Sequence, residues 1–328
     1  MAKVLVIGDP HFKTDNIEET DILQKECIKI CEKQNPDFVV VLGDILDRHE
    51  TIHVTALCRS VEFLKNLKNL CKLYVLIGNH DLKNNKQYMS TEHPFSSLKH
   101  WGENITIVDK PILNVINDNK FIFCPYIPTG RFIEALNTID GWKSSKCIFA
   151  HQEFKGSDMS GVVSSIGDVW DLENPDVVSG HIHTYQKPQK NILYPGTPFQ
   201  HNFNDTNNKT VSMLFFDRIY GYTEERISLN IPEKITIRVS YDKLSELVIP
   251  PNNKVKIIIY ASPSQIAVSN KNFFISKWRK KGFKILFSST NTKNDKITNT
   301  KPEKYTKIFH SKLKEKKLYD FYVSIKNN

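Results

Sequence analysis

Three apolar, β-branched runs that each break on glycine and then an oxygen-bearing side chain constrain this chain more than any other feature: KVLVIGD, DFVVVLGD and KLYVLIGN. Each reads as a buried strand that delivers its last residues to a loop. Between them lie NIEETDILQKECIKICEKQ and VTALCRSVEFLKNLKNL. The first carries Ile22, Leu23, Cys27, Ile30 and Cys31 at helical spacing and is closed by Pro36. Regular strand–helix alternation predicts a sheet with covering helices, and short connections bring the glycine-containing ends to one edge. Shorter strands follow at NITIV, KFIFCPY, KCIFAH, PDVVSGH, NILYPG and TVSMLFFD. The expectation is a layered α/β domain over residues 1–230, a two-sheet β-sandwich flanked by helices.

Five strand ends carry metal-ligand chemistry: Asp9 with His11, then Asp44, then Asn79 with His80, then His151, then His181 with His183. Taken singly, each has a plain structural explanation. Asp after Gly is a common turn residue, Asn-His can cap a helix, and a lone His usually packs in a core or sits on the surface. Together they converge, because strands of one sheet end side by side. Carboxylate, amide and imidazole groups without a thiolate suit manganese, iron or zinc in a hydrolytic centre and argue against structural zinc. Even with His80 set aside, the seven remaining groups exceed what one open catalytic ion needs. Two divalent ions fit better, with one carboxylate bridging them at the ~3.5–4 Å spacing of two-metal sites. A water activated by two ions is a nucleophile near neutral pH, and hydrolysis of a phosphate ester is the matching chemistry.

Charge divides the chain. Residues 231–328 have a net charge of +14 and residues 1–230 of −5, within a total of +9. The basic part spells KITIRVS, KVKIIIYAS, a helical stretch with NFFISKWRKKG, and FKILFSS, which predicts a small β-α-β module over 231–287. Residues 288–302 read as a linker and 303–328 as an amphipathic segment. A basic module fused to a mildly acidic domain suggests a polyanionic partner, nucleic acid first; the plainer alternative is a lysine-rich solvated surface. Trp278, Arg279, Lys280, Lys281 and Lys284 set an aromatic beside cations, suited to phosphates and an unpaired base, or to a helix end that favours cations. His201 and Asn202 follow a glycine turn near the expected pocket and could line a substrate path. Trp101, Trp142 and Trp170 read as core or rim aromatics.

The chain is 40% hydrophobic and 25% charged, a globular balance. No apolar run approaches the ~18–20 residues that a bilayer span needs, and Asp9 falls where a signal peptide would still be apolar. The six cysteines include no CxxC pair and read as reduced core residues. The expected location is intracellular: cytoplasm or nucleus, or a viral factory for a viral chain.

The blocks GDPH, GDILDRH, GNHD, FAHQ and GHIH, in that order, resemble the calcineurin-like metallophosphoesterase family over about residues 3–230. The resemblance implies a first metal held by Asp9, His11, Asp44 and His183, and a second held by Asp44, Asn79, His151 and His181, with Asp44 bridging. His80 would contact the phosphate and assist the leaving oxygen, and Asp81 would orient His80. The spellings GDPHF, GNHD and YPGTPFQHNF look nuclease-like and, with the basic module, are similar to the SbcD-type nuclease subunit of double-strand-break repair. That resemblance implies a DNA-facing capping domain, manganese as the first choice of ion with iron or zinc as alternatives, and a coiled-coil ABC ATPase of SbcC type bound through residues 303–326. It also leaves room for a homodimer. One departure is Asp47, where archaeal and eukaryotic members have histidine; His49 lies two residues further on and stands as a substrate-side candidate. The short tail resembles a minimal bacterial, phage or large-virus version. A DNA nuclease is thus the expected function; a phosphatase or cyclic-nucleotide phosphodiesterase on the same core is the alternative, and a scaffold that has lost its metals is the third reading.

Overall fold

The computed structural model describes residues 1–159, 161–217 and 221–290. In chain order, β1 (Ala2–Ile7), α1 (Ile17–Gln34), β2 (Phe38–Val41), α2 (Val54–Leu70), β3 (Lys72–Leu76) and β4 (Ile105–Val108) form the first strand–helix repeats. Then come β5 (Ile112–Ile116), β6 (Asn119–Phe123), α3 (Phe132–Leu136), β7 (Cys147–Ala150), β8 (Asp176–Ser179), β9 (Gln186–Gln189), β10 (Ile192–Tyr194), β11 (Thr210–Phe216) and β12 (Tyr222–Ser228). A C-terminal module follows: β13 (Lys234–Ser240), β14 (Lys254–Ala261), α4 (Pro263–Val268), α5 (Phe273–Lys280) and β15 (Lys284–Ser289).

Among the described residues, two six-stranded mixed sheets stack, ordered β12-β11-β1-β2-β3-β4 and β5-β6-β7-β8-β10-β9. The alternation of a strand's side chains sorts them into layers. Val4, Val6, Phe38, Val40 and Tyr74 of the first sheet meet Phe121, Phe123, Phe149 and Val178 of the second between the sheets. Leu5, Ile7, Val39 and Val41 face the other way, under Leu23 and Cys27 of α1 and Phe63 and Leu67 of α2. The second sheet's outer face packs on Phe132, Trp142 and Trp170. Each such fully buried side chain contributes about 1.5–3 kcal/mol, so this sandwich fixes where the strand ends lie.

α1 stops at Asn35, whose left-handed backbone (φ 47°) lets its N–H reach the Cys31 carbonyl at 2.8 Å, and Pro36 then blocks continuation. β5, β9 and β12 were not evident in the sequence. β12, YTEERIS, is a half-exposed edge strand whose polar residues hide its pairing with β11. β15 runs to Ser289, two residues into the expected linker; the rest of that linker from residue 291, and the segment 303–328, lie outside the described residues. No helix among the described residues is long and apolar enough to cross a membrane.

The C-terminal sheet is parallel, ordered β13-β14-β15. It is seated on the sandwich through α1: Glu19, itself buried, accepts from Lys234 Nζ at 2.9 Å and from Lys254 Nζ at 2.8 Å.

Candidate metal centre

Parallel pairing of β1 with β2 and β2 with β3, and of β7 with β8, ends these five strands at one rim, where Asp9, Asp44, Asn79, His151 and His181 follow within a few residues. The main chains meet there so tightly that glycine is required. A Cβ on Gly78 would fall 2.1 Å from the Asp44 nitrogen and 2.2 Å from its Oδ1, and one on Gly180 would fall 2.4 Å from Asp9 Oδ1. The ligands themselves bend the backbone: His11 (φ 44°), Asp44 (φ 47°) and His181 (φ 77°) are all left-handed. Such conformations cost about 1–3 kcal/mol each for non-glycine residues and cluster at functional sites. Asn16 helps hold the His11 turn, donating from Nδ2 to the His11 carbonyl at 2.8 Å.

Two groups of donor atoms result, Asp9 with His11 and His183 and Asp44 with His151 and His181, and a third, His11 with Asp44 and His80, overlaps both; in each the candidate ligand atoms lie within 4.8 Å of one another. Asp44 lies between them, with Oδ2 at 3.6 Å from His11 Nε2 and Oδ1 at 3.3 Å from His151 Nε2. Asn79 Oδ1 joins the second group at 3.0 Å from His151 Nε2 and 2.9 Å from His181 Nδ1. Nε2 atoms of His11 and His183 face each other at 3.0 Å. All seven predicted ligands are thus brought together.

Tautomers follow from the outer contacts. His151 Nδ1 lies 2.7 Å from the Leu42 carbonyl and must donate to it, which turns the Nε2 lone pair inward. His181 Nε2 lies 3.9 Å from Glu153 Oε2, so Nδ1 is its inward atom. Burial pushes His11 well below its usual value and His183 down to about 4, leaving both neutral and able to coordinate. Burial works against ionisation of Asp44, but His151, His11 and His80 outweigh it and hold the carboxyl well below its usual range.

Asp9 is the test of fit. It is fully buried, and neither carboxylate oxygen has a hydrogen-bond partner. Burial, reinforced by Asp44 and opposed by His151, pushes its carboxyl up to about 8. His151 Nδ1 stands 3.6 Å from Asp9 Oδ1, beyond hydrogen-bond distance, and a buried carboxylate without hydrogen bonds costs several kcal/mol unless a cation compensates it. Two imidazoles, with His11 Nε2 and His183 Nε2 turned toward each other, complete a donor set for a divalent cation beside it, and the residues fit such an ion.

Around the donors, His80 Nδ1 lies 2.6 Å from the Asp47 carbonyl. The expected pairing of Asp81 with His80 is corrected: the Asp81 carboxylate instead accepts from the main-chain N–H of Ile45 (3.2 Å), Leu46 (2.9 Å) and Gly78 (3.0 Å). It ties the two glycine loops together, since three convergent donors outcompete a neighbouring ring. His49 stacks on His80 (centroids 4.8 Å, 19°) and points Nδ1 at the Leu82 carbonyl at 3.1 Å. His201 Nε2 lies 3.0 Å from the Asp9 carbonyl, while the exposed Asn202 bonds locally to Asp205. A cavity of about 250 Å³ opens over the centre, lined by Asp44, His80, Asp158, Met159, His181, Ile182 and His183.

The α5 residues lie elsewhere. Trp278, expected to face a base, is buried in the module's own core with Ile275, one helical turn away. Its neighbour Arg279 donates to Asn270 Oδ1, and Lys280 and Lys281 are exposed. Sequence reasoning missed Glu153, Asp47 as the carbonyl that accepts from His80, and Lys209, whose Nζ donates to the His183 carbonyl at 2.6 Å. Only Glu153, two residues after His151 in HQEF, left a signal.

The family model for calcineurin-like phosphoesterases matches residues 2–185. The chain belongs to that family. As a calcineurin-like phosphoesterase it has relatives in two viruses. The 244L protein of Invertebrate iridescent virus 6, whose name proposes a phosphoesterase, is 42% identical over 279 residues, covering 83% of this chain and 98% of the relative. The 078R protein of Invertebrate iridescent virus 3, named in the same way, is 42% identical over 240 residues, covering 72% and 68%. Members of the calcineurin-like family use divalent metals, and this phosphoesterase carries a His/Asp cluster of the matching kind.

Proposed function

We propose that this phosphoesterase is a DNA nuclease that holds two divalent ions, manganese by preference, and hydrolyses phosphodiesters in repair or genome processing. The observation that carries the reading is a junction. Gln200 binds the start of β13, with Oε1 accepting from Lys234 N at 2.7 Å, and the next residue, His201, rests on Asp9. A cationic module therefore begins where the ligand cluster ends, an arrangement that favours a long polyanion over a small phosphomonoester.

Asp9, His11 and His183 would hold one ion, and Asn79, His151 and His181 the other, with Asp44 shared. The bound pair would activate water and offset charge on the phosphoryl oxygens. His80, fixed by the Asp47 carbonyl, would present Nε2 to the leaving oxygen. Glu153 would keep His181 Nδ1 turned to its ion. The resemblance to SbcD-type subunits adds a coiled-coil ATPase partner to the proposal, its contact segment being 303–326.

Digestion of end-labelled single- and double-stranded DNA with added manganese, beside a phosphomonoester control, tests the reading. Degradation of DNA that weakens with salt supports it. Turnover of the phosphomonoester alone would replace it with a phosphatase.

A further inference from the structure

The register of the C-terminal sheet places Lys256 beside Lys284, and Ile258 between Arg238 and Leu286. Paired residues share a face, so these and Tyr260 lie together. The intervening residues, Ile257 and Ile259 among them, are buried and pack with Ile275 and Trp278. At one end of the other face Lys234 and Lys254 are taken up by Glu19 of α1; beyond them it is open, and no Asp or Glu occurs at its positions on the three strands. Tyr260 is 39% exposed and Leu286 43%, so aromatic and apolar surface is interleaved with the cations.

One end of this face meets the centre's loop. Lys256 Nζ lies 5.1 Å from the centroid of Phe203, and Thr236 Oγ1 lies 3.4 Å from the Phe203 carbonyl. Phe203 is two residues from His201, which rests on Asp9. From Lys256 to Tyr260 the strand covers about 13 Å.

We infer that this open sheet face is a seat for single-stranded DNA, with phosphates on Lys256, Arg238 and Lys284, a base against Tyr260, and the strand leading past Phe203 to the metal centre. The inference rests on the nuclease reading. Cations that track a backbone beside an aromatic ring are the recurrent chemistry of single-strand binding, tolerant of sequence because every base has a π-face.

The test uses the full chain in chelator with fluorescein-labelled oligothymidylate, read by anisotropy across a salt series. Tyr260→Ala and Lys284→Ala should each weaken binding about tenfold, Tyr260→Phe should retain it, and Lys284→Ala should lower the salt slope by about one. Lys280→Ala, on α5, should change nothing. Crosslinking of a 5-iododeoxyuridine oligomer to the wild-type chain should map to the Tyr260 peptide, a result independent of how well any variant folds. Unchanged binding by Tyr260→Ala, a crosslink on α5, or tighter binding of duplex or of RNA of the same sequence would overturn the seat. Cleavage with manganese is scored separately. Binding that responds as stated without cleavage sustains the seat and removes the nuclease reading, whereas cleavage with a Tyr260-independent affinity does the reverse.

Discussion

His80 donates through Nδ1 to the main-chain oxygen of Asp47 at 2.6 Å, leaving Nε2 at 3.9 Å from Asp44 Oδ2 as the ring's free nitrogen. A ring so held lines the cavity, within reach of His11 and Asp44 but fixed by the Asp47 carbonyl. His80→Ala should therefore lower phosphoester turnover by about 10²–10⁴-fold while metal content, read by elemental analysis, stays near that of the parent. Loss of metal together with activity would make His80 a ligand.

Asp44 is reached by both donor groups, and its position depends on the missing side chain at residue 78. In Gly78→Ala the new methyl would strike the Asp44 main chain and carboxylate at 2.1–2.2 Å. Overpacking of this kind costs about 1–3 kcal/mol. A lower melting temperature and a fall in bound metal should appear together; Asp44→Ala should empty the site with its surroundings still folded.

The Asp9 carboxylate, buried and without a hydrogen bond, makes metal a stabilising ligand. Bound ions should raise the melting temperature, since anything that binds only the folded state stabilises by about 2.7 kcal/mol at a hundred times its dissociation constant. Chelation should reverse the rise. Asp9→Asn should melt no lower than wild type in chelator, because burial already opposes ionisation of the carboxyl that the amide replaces, and should lose most of the metal-induced increment. Calorimetry with and without manganese distinguishes these outcomes.

Glu19 predicts a pH dependence outside the centre. Burial opposes its ionisation, but hydrogen bonds from Lys254 and Lys234 outweigh that and hold the carboxyl below its ordinary value of 4.5. A carboxyl lowered on folding adds stability above its unfolded value and loses it as pH falls through the folded one. Glu19→Gln should thus cost about 1–3 kcal/mol near neutrality, and its difference from wild type in urea melts should shrink progressively below about pH 4.5.

The legible part of this molecule was the part written in local pattern. Gly-Asp, Gly-Asn and Gly-His after β-branched runs announced both the strands and the convergence of their ends. Contacts made by main-chain atoms were not legible: nothing in the letter Asp at position 47 says that its carbonyl, not its carboxylate, meets His80. Trp278 was assigned outward because it stands beside cations, although its three-residue spacing from Ile275 places both on the buried stripe of α5. Alternation in KITIRVS and KVKIIIYA was visible, but the parallel register that gathers Lys256, Lys284 and Arg238 needs the coordinates.

Gln200 grips both termini of one lysine's backbone and side chain at the foot of the small sheet: Lys234 N at 2.7 Å, Lys234 O at 3.1 Å, and, through its own carbonyl, Lys234 Nζ at 2.6 Å. A single peptide bond separates that grip from the imidazole beneath Asp9. A displacement of the sheet's foot would therefore disturb, one residue away, the loop that rests on the Asp9 carbonyl.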